Sequence, residues 1–353
     1  MLSHWLTTRG AAVLGMSLLS TSNLACTDTL EPAPPSEPPP PFDYPYDDRL
    51  QLQHLQAKAT HNSFHVAERG HRSPEFRYTH APLDVQLAAQ GVRHLELDLH
   101  YDPAAGRFDI YHLPILDDES SCADLEECLR LIKDFSDGNR AHHPIVVQID
   151  IKDPFLGSDA AEFYFDQLHV YLRHVWPADR IVTPDEVQGE YATLADAVAN
   201  EGWPTLGALR GRVLFTMYNM RDGFGDTYTR GYTSLAGRLI FARSLLGDPC
   251  AAIVHVDDPV ANGELITAAV GANMLVRTHA DAQMVEPFAG DTSRLEAALA
   301  SGAHFIVTDV PAPVPDLDYW VDIPGGTPSR CNPVTAPLEC ESKAVEDPAL
   351  LEL

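Results

Sequence analysis

From about residue 50 onward, short runs rich in β-branched and aliphatic residues alternate with longer stretches of helical period. Strands are predicted at 55–61, 92–100, 145–151, 212–218, 252–257, 274–279 and 304–309, with a weak one near 180–183. Helical patterns lie between several of them, at 82–90, 123–136, 160–175 and 293–301. Alternation of this kind implies an α/β protein with a parallel sheet. Seven or eight strands in one domain favour a closed (β/α)8 barrel of the TIM type over a doubly wound sheet. No Gly-x-Gly-x-x-Gly follows the first strand, which argues further against a dinucleotide fold.

The second predicted strand departs from a core pattern. In Val92–His100, alternation puts Leu95, Leu97 and Leu99 on one face and His94, Glu96, Asp98 and His100 on the other. Barrel strands are ordinarily buried on both sides, and burying two carboxylates costs several kcal/mol unless a cation or donors compensate. The alternative is an edge strand with one wet face. The asymmetry recurs in Pro144–Lys152, where Gln148, Asp150 and Lys152 share the face opposite Ile145, Val147, Ile149 and Ile151. Asp150 then lies near a strand's C-terminal end, where barrel enzymes place their chemistry.

Other strand ends are polar too. The first finishes in Thr60-His61-Asn62-Ser63, and Met274–His279 puts Arg277 near its end. Residues 108–113 read as part of a short hairpin that delivers His112 to the same rim. Singly, each is more often a satisfied structural residue. Together they bring three carboxylates, an Asn amide, two histidines and a cation to the strand tips. Oxygen donors of this kind suit a hard cation such as calcium rather than zinc. Two histidines beside it suit acid–base work near neutral pH.

The N-terminal residues change the setting. A short n-region ending at Arg9, an apolar stretch 10–19 and Ala25-Cys26 read as an export signal of lipoprotein type, residues 1–25. Asn23 stands where such sites usually carry Leu, and ordinary cleavage nearby is the rival. The chain is expected to be exported, and either lipid-anchored at the cell surface through Cys26 or secreted. A Pro-rich linker spans 26–46, an extended spacer by composition. The barrel is expected over 47–323, with a C-terminal tail, 324–353, tied by a disulfide.

Lys and Arg number 24 against 51 Asp and Glu, for a formal net charge of −27. A surface so acidic excludes nucleic acid as a partner, and it needs a cation to approach anionic lipid. Of the six cysteines, the nearest pairs in sequence are Cys122–Cys128 and Cys331–Cys340, which leaves Cys250 free. Helical residues six apart are about 9 Å apart along the axis, so Cys122 belongs in the turn before the helix that carries Cys128.

Thr60-His61-Asn62-Ser63, Leu95-Glu96-Leu97-Asp98, Tyr111-His112 and Val147-Gln148-Ile149-Asp150 resemble the catalytic core of phosphoinositide phospholipases C. The closer resemblance is to the bacterial calcium-dependent branch. It runs on through Gly202–Leu206, Arg210–Phe215, Val276-Arg277-Thr278 with Asp281, and 298–311, so it covers roughly 50–312. The resemblance implies calcium held by Asn62, Glu96, Asp98 and Asp150, a catalytic pair in His61 and His112, and phosphate contacts from Lys152 and Arg277. It implies a phosphatidylinositol-type substrate at a membrane surface, and no protein partner is evident. The implied reaction is attack by the inositol 2-hydroxyl on phosphorus, with one histidine protonating the departing diacylglycerol oxygen; His112 is the preferred acid. Asp150 stands where the eukaryotic enzymes carry Glu. Two other readings are a glycerophosphodiester phosphodiesterase, whose family opens with His-Arg-Gly where this chain has His61-Asn62-Ser63, and a silent surface-binding barrel.

Overall fold

The computed structural model describes residues 42–68, 73–325 and 328–351. The expected signal segment, Cys26 and the linker up to residue 41 lie outside the described residues. Among the described residues no helix is long and apolar enough to cross a membrane.

Among the described residues eleven strands form one sheet: β1 (Leu55–Thr60), β2 (Val92–Asp102), β3 (Arg107–Ile110), β4 (Ile145–Ile151), β5 (Ile181–Val182), β6 (Val213–Met217), β7 (Ile240–Ala242), β8 (Ile253–His255), β9 (Leu275–His279), β10 (Phe305–Thr308) and β11 (Ser329–Cys331). The parallel order runs β5-β6-β4-β2-β1-β10-β9-β8, with β7 also beside β6. A single parallel bridge between Arg243 and Ile253, where the Ser244 N–H donates to the Ile253 carbonyl at 3.0 Å, brings the sheet round on itself. The architecture is a (β/α)8-type barrel.

The weak strand expected near 180–183 is only the two residues of β5, and it pairs with the start of β6 at Val213 and Leu214. Further along β6, Phe215, Thr216 and Met217 pair instead with β7. The place beside β6 is therefore shared. β7 escaped the sequence reading because three residues carry too little alternation to stand out.

The apolar face of β2 packs outward. Leu95, Leu97 and Leu99 join one core with residues of α1 (Leu83–Ala88), α2 (Leu125–Gly138) and α3 (Ser158–Val175). The polar face, His94 to Asp98, points into the barrel and is buried. β2 lies between β1 and β4, so it is no edge strand. Helix α2 begins where the cysteines demand. Asp124 caps it by accepting from the Glu127 N–H at 2.9 Å, and Cys122 in the preceding turn is disulfide-bonded to Cys128. Cys331–Cys340 is the second disulfide, and Cys250 is free and buried. Two disulfides are the pattern of a protein that matures in an oxidising compartment.

Beyond the last barrel strand, β11 pairs antiparallel with the start of β1, through Leu55–Cys331 and Ala57–Ser329. Deeper in the chain end, the fully buried Glu346 carboxylate takes the Arg93 guanidinium and the His143 backbone N–H. Glu346→Ala leaves the Arg93 charge buried and unpaired, so it should cost about 3–5 kcal/mol. A chemical denaturation midpoint close to wild type would show that the C-terminal segment does not clamp the barrel.

Candidate active site

At the C-terminal ends of the strands a cavity of about 480 Å3 opens, lined by His61, Asn62, Glu96, His112, Asp150, Lys152 and Arg277 among others. Seven of the eight residues singled out from the sequence line it. The eighth, Asp98, lies just behind. One carboxylate oxygen each from Glu96, Asp98 and Asp150 fall within 4.8 Å of one another.

Register explains the cluster. β2 and β4 pair Glu96 with Gln148 and Asp98 with Asp150, so the Asp98–Asp150 pair is directly cross-strand. The motif after β1 then fixes the approach of Asn62. Its backbone sits at φ 42°, a left-handed conformation that Asn tolerates better than most residues. Ser63 ties the turn to β2: its N–H donates to the Glu96 carbonyl at 3.0 Å and its hydroxyl accepts the Glu96 N–H at 2.7 Å. Gln86 of α1 donates to the Ser63 carbonyl at 2.6 Å and accepts from the Thr60 hydroxyl at 2.8 Å. Thr60 and Ser63 thus hold the turn while His61 and Asn62 face the cavity, which Tyr78 also lines.

Each histidine is paired with an aspartate. His61 Nδ1 lies 3.0 Å from Asp309 Oδ1. Burial works against the imidazolium, but the Asp309 carboxylate outweighs it and holds the group up at about 9. His112 Nδ1 lies 2.8 Å from Asp117 Oδ2, and the other oxygen of Asp117 is 2.7 Å from the buried His65 Nε2. Burial raises the Asp117 carboxyl, yet the two histidine hydrogen bonds win and draw it down to about 2. Asp309 is itself positioned by Asp281, which accepts its N–H at 3.0 Å. Burial and the nearby Asp309 charge push Asp281 up to about 7.

The sequence reading missed both partners. Asp309 could have been found, since it immediately follows β10 at a strand tip. Asp117 could not, because it sits in an irregular loop with no periodicity to mark it. His279 was also missed as a cavity residue; its Nε2 is 3.0 Å from Arg277 Nη1, and burial and that guanidinium hold it well below the usual histidine range.

The acidic cluster is short of positive charge. Lys152 Nζ lies 2.6 Å from Asp150 Oδ2 and 3.1 Å from Asp98 Oδ2, and Arg277 pairs with Glu96. Burial nevertheless pushes the Asp98 carboxyl well up against the pull of Lys152, with Asp150 and Glu96 adding to the rise. Neither Asp98 oxygen has a well-formed hydrogen bond, although the residue is fully buried. Among the described residues Asp98 Oδ1 has no partner and Oδ2 has only the Lys152 ammonium at 3.1 Å; with two more carboxylates within reach and Asn62 lining the same cavity, the donor set fits a hard, oxygen-seeking divalent cation such as calcium.

Residues 50–111 and 108–333 match the model of the Ca2+-dependent phosphoinositide phospholipase C family. Among solved structures, the calcium-dependent phosphoinositol-specific phospholipase C of a Gram-negative Pseudomonas aligns with a TM-score of 0.56 at 17% identity. That alignment covers 76% of this chain and 93% of that one. The Ca2+-dependent phosphatidylinositol-specific enzyme of Streptomyces antibioticus aligns with a TM-score of 0.54 at 20% identity, covering 74% and 95%. No curated protein matches. Identities this low speak for the shared barrel, and the family match spans most of the chain. The protein is a phosphodiesterase of the phospholipase C type built on an α/β barrel. It belongs to the calcium-dependent phosphoinositide phospholipase C family.

Proposed function

We propose that the enzyme cleaves phosphatidylinositol-type lipids to diacylglycerol and a cyclic inositol phosphate by internal attack. Asn62, Glu96, Asp98 and Asp150 would hold calcium. Held there, calcium would supply positive charge to a phosphoryl oxygen and would lower the pKa of the adjacent inositol 2-hydroxyl. The observation that carries this reading is the pair of aspartate-oriented histidines lining the same cavity as the carboxylate cluster. With Nδ1 engaged by Asp117, His112 has Nε2 left to hand a proton to the departing diacylglycerol oxygen. His61, held protonated by Asp309, suits stabilisation of charge on the phosphorane-like transition state. Lys152 and Arg277 complete the cavity wall as phosphate contacts.

Phosphorus NMR should show a five-membered cyclic phosphate as the first product, since a neighbouring hydroxyl gains from proximity over water. Acyclic phosphate from the outset, with equal cleavage of diesters lacking an adjacent hydroxyl, would turn the assignment to a water-using phosphodiesterase.

The rim of the barrel supports a lipid over a soluble diester. Ile115 and Leu116 in the loop after β3, Phe155 and Leu156 in the loop after β4, and Val285 and Phe288 in the short helix after β9 are all large apolar residues left exposed at the catalytic end. Ile115 is 86% exposed and Leu156 79%, which is costly in water and favourable at the acyl boundary of a bilayer. The double change Ile115→Ser with Leu156→Ser should lower turnover on phosphatidylinositol vesicles several-fold. Turnover of a soluble inositol phosphodiester should be unchanged; equal effects on both substrates would remove the interfacial role.

A further inference from the structure

Each carboxylate of the cluster already has a cation of the protein's own beside it. The arrangement is uneven. Arg277 is fixed to Glu96 from across the barrel with its side chain buried. Lys152 instead spans two carboxylates at once, Asp98 at 3.1 Å and Asp150 at 2.6 Å. Those two residues are register partners on neighbouring strands, so the ammonium sits between the oxygens that the proposed calcium site needs most. The Lys152 side chain is 26% exposed and lines the cavity, whereas Asp98 is wholly buried. The lysine can swing into the cavity; the aspartate cannot leave.

We propose that Lys152 is the resident counter-ion of the metal site, so that calcium and the Lys152 ammonium compete for Asp98 and Asp150. The inference rests on the calcium-site reading above. In the metal-free protein the lysine offsets part of the repulsion between two clustered carboxylates. Calcium binding then displaces the ammonium toward the open cavity, where the substrate phosphate arrives. Such a device weakens calcium affinity by the free energy of the displaced pairs, and it keeps the empty site from being an uncompensated buried charge.

The test is calcium binding by the chelator-stripped protein, read by isothermal titration calorimetry. Lys152→Met should bind calcium at least about tenfold more tightly than wild type, a change of about 1.4 kcal/mol. Lys152→Arg, which keeps the charge and the reach, should stay near wild type. Calcium should also raise the thermal midpoint of Lys152→Met more than that of wild type, because the metal-free variant lacks its counter-ion. Equal or weaker binding by Lys152→Met would overturn the proposal, since a lysine that merely buttresses the ligands weakens the site when removed. If Lys152→Met does not fold without metal, the wild type decides. The chain has four lysines. With 15N-lysine labelling, the Lys152 ammonium signal should be protected from exchange without calcium and lost on saturation. Its persistence at saturation refutes displacement. A wild type that binds no calcium at all would sink the calcium-site reading itself, a different outcome from calcium binding that ignores Lys152.

Discussion

Replacing His112 with Ala should lower turnover of phosphatidylinositol by about 10²–10⁴-fold, the usual contribution of a general acid. The imidazole is oriented from one side only: Asp117 Oδ2 holds Nδ1 at 2.8 Å, and Asp117 is itself held by His65 at 2.7 Å. That arrangement fixes the tautomer and the ring plane, so the remaining nitrogen meets the leaving oxygen without searching for a pose. The loss should shrink strongly for a nitrophenyl ester of inositol phosphate, whose leaving group departs without a proton. Comparison of kcat on the two substrates separates the acid from a merely structural histidine. Equal losses on both would show that His112 binds or shapes the site and donates nothing. Asp117→Asn should give a smaller loss with the same substrate dependence, because it disturbs the orientation of the acid and leaves the acid in place.

Calcium removal has an effect of similar size. An excess of chelator should abolish activity, and Asp98→Asn should lower it by at least about 100-fold while removing the tight calcium site. Asp98 is the most informative ligand to change, since it is fully buried, lacks a well-formed hydrogen bond and is one of three carboxylates with oxygens within 4.8 Å of one another. Asn keeps its shape and deletes one of the clustered charges, while Lys152 retains Asp150 as a partner. The thermal midpoint of the metal-free variant should therefore be no lower than that of wild type. Full activity in excess chelator would defeat the calcium mechanism and point to catalysis by Lys152 and Arg277 alone. A collapsed fold in Asp98→Asn would instead mean that the Lys152–Asp98 pair is structural.

Much of this protein is local information. The strand period of Val92–His100 separates three leucines from three buried ionisable groups. That separation implied both the direction of the strand's two faces and the presence of something to compensate the carboxylates. The spacing of Cys122 and Cys128 placed one in a turn and the other in a helix by axial rise alone. Chain ends of strands are where barrels keep chemistry, so His61, Asn62, Asp150 and Arg277 could be named before any contact was known.

What stayed hidden depends on which residues meet across long stretches of chain. β7 exists because β6 offers an open edge beyond β5, and three residues of sequence do not advertise that. Glu346 reads as one more acid near an acidic chain end, yet it is buried against Arg93, more than 250 positions earlier. Asp117 and Asp309 orient the two histidines through contacts set by loop closure and barrel closure. Lys152 is the sharpest case. The two-residue period put it on the face of Asp150, but only the lateral register of β2 against β4 brought Asp98 within reach of the same ammonium. Sequence determines which way a side chain points from its strand, because that is a property of the backbone's own pleat. Which charges then face one another is decided by strand order and stagger, and those are set by the packing of the whole barrel.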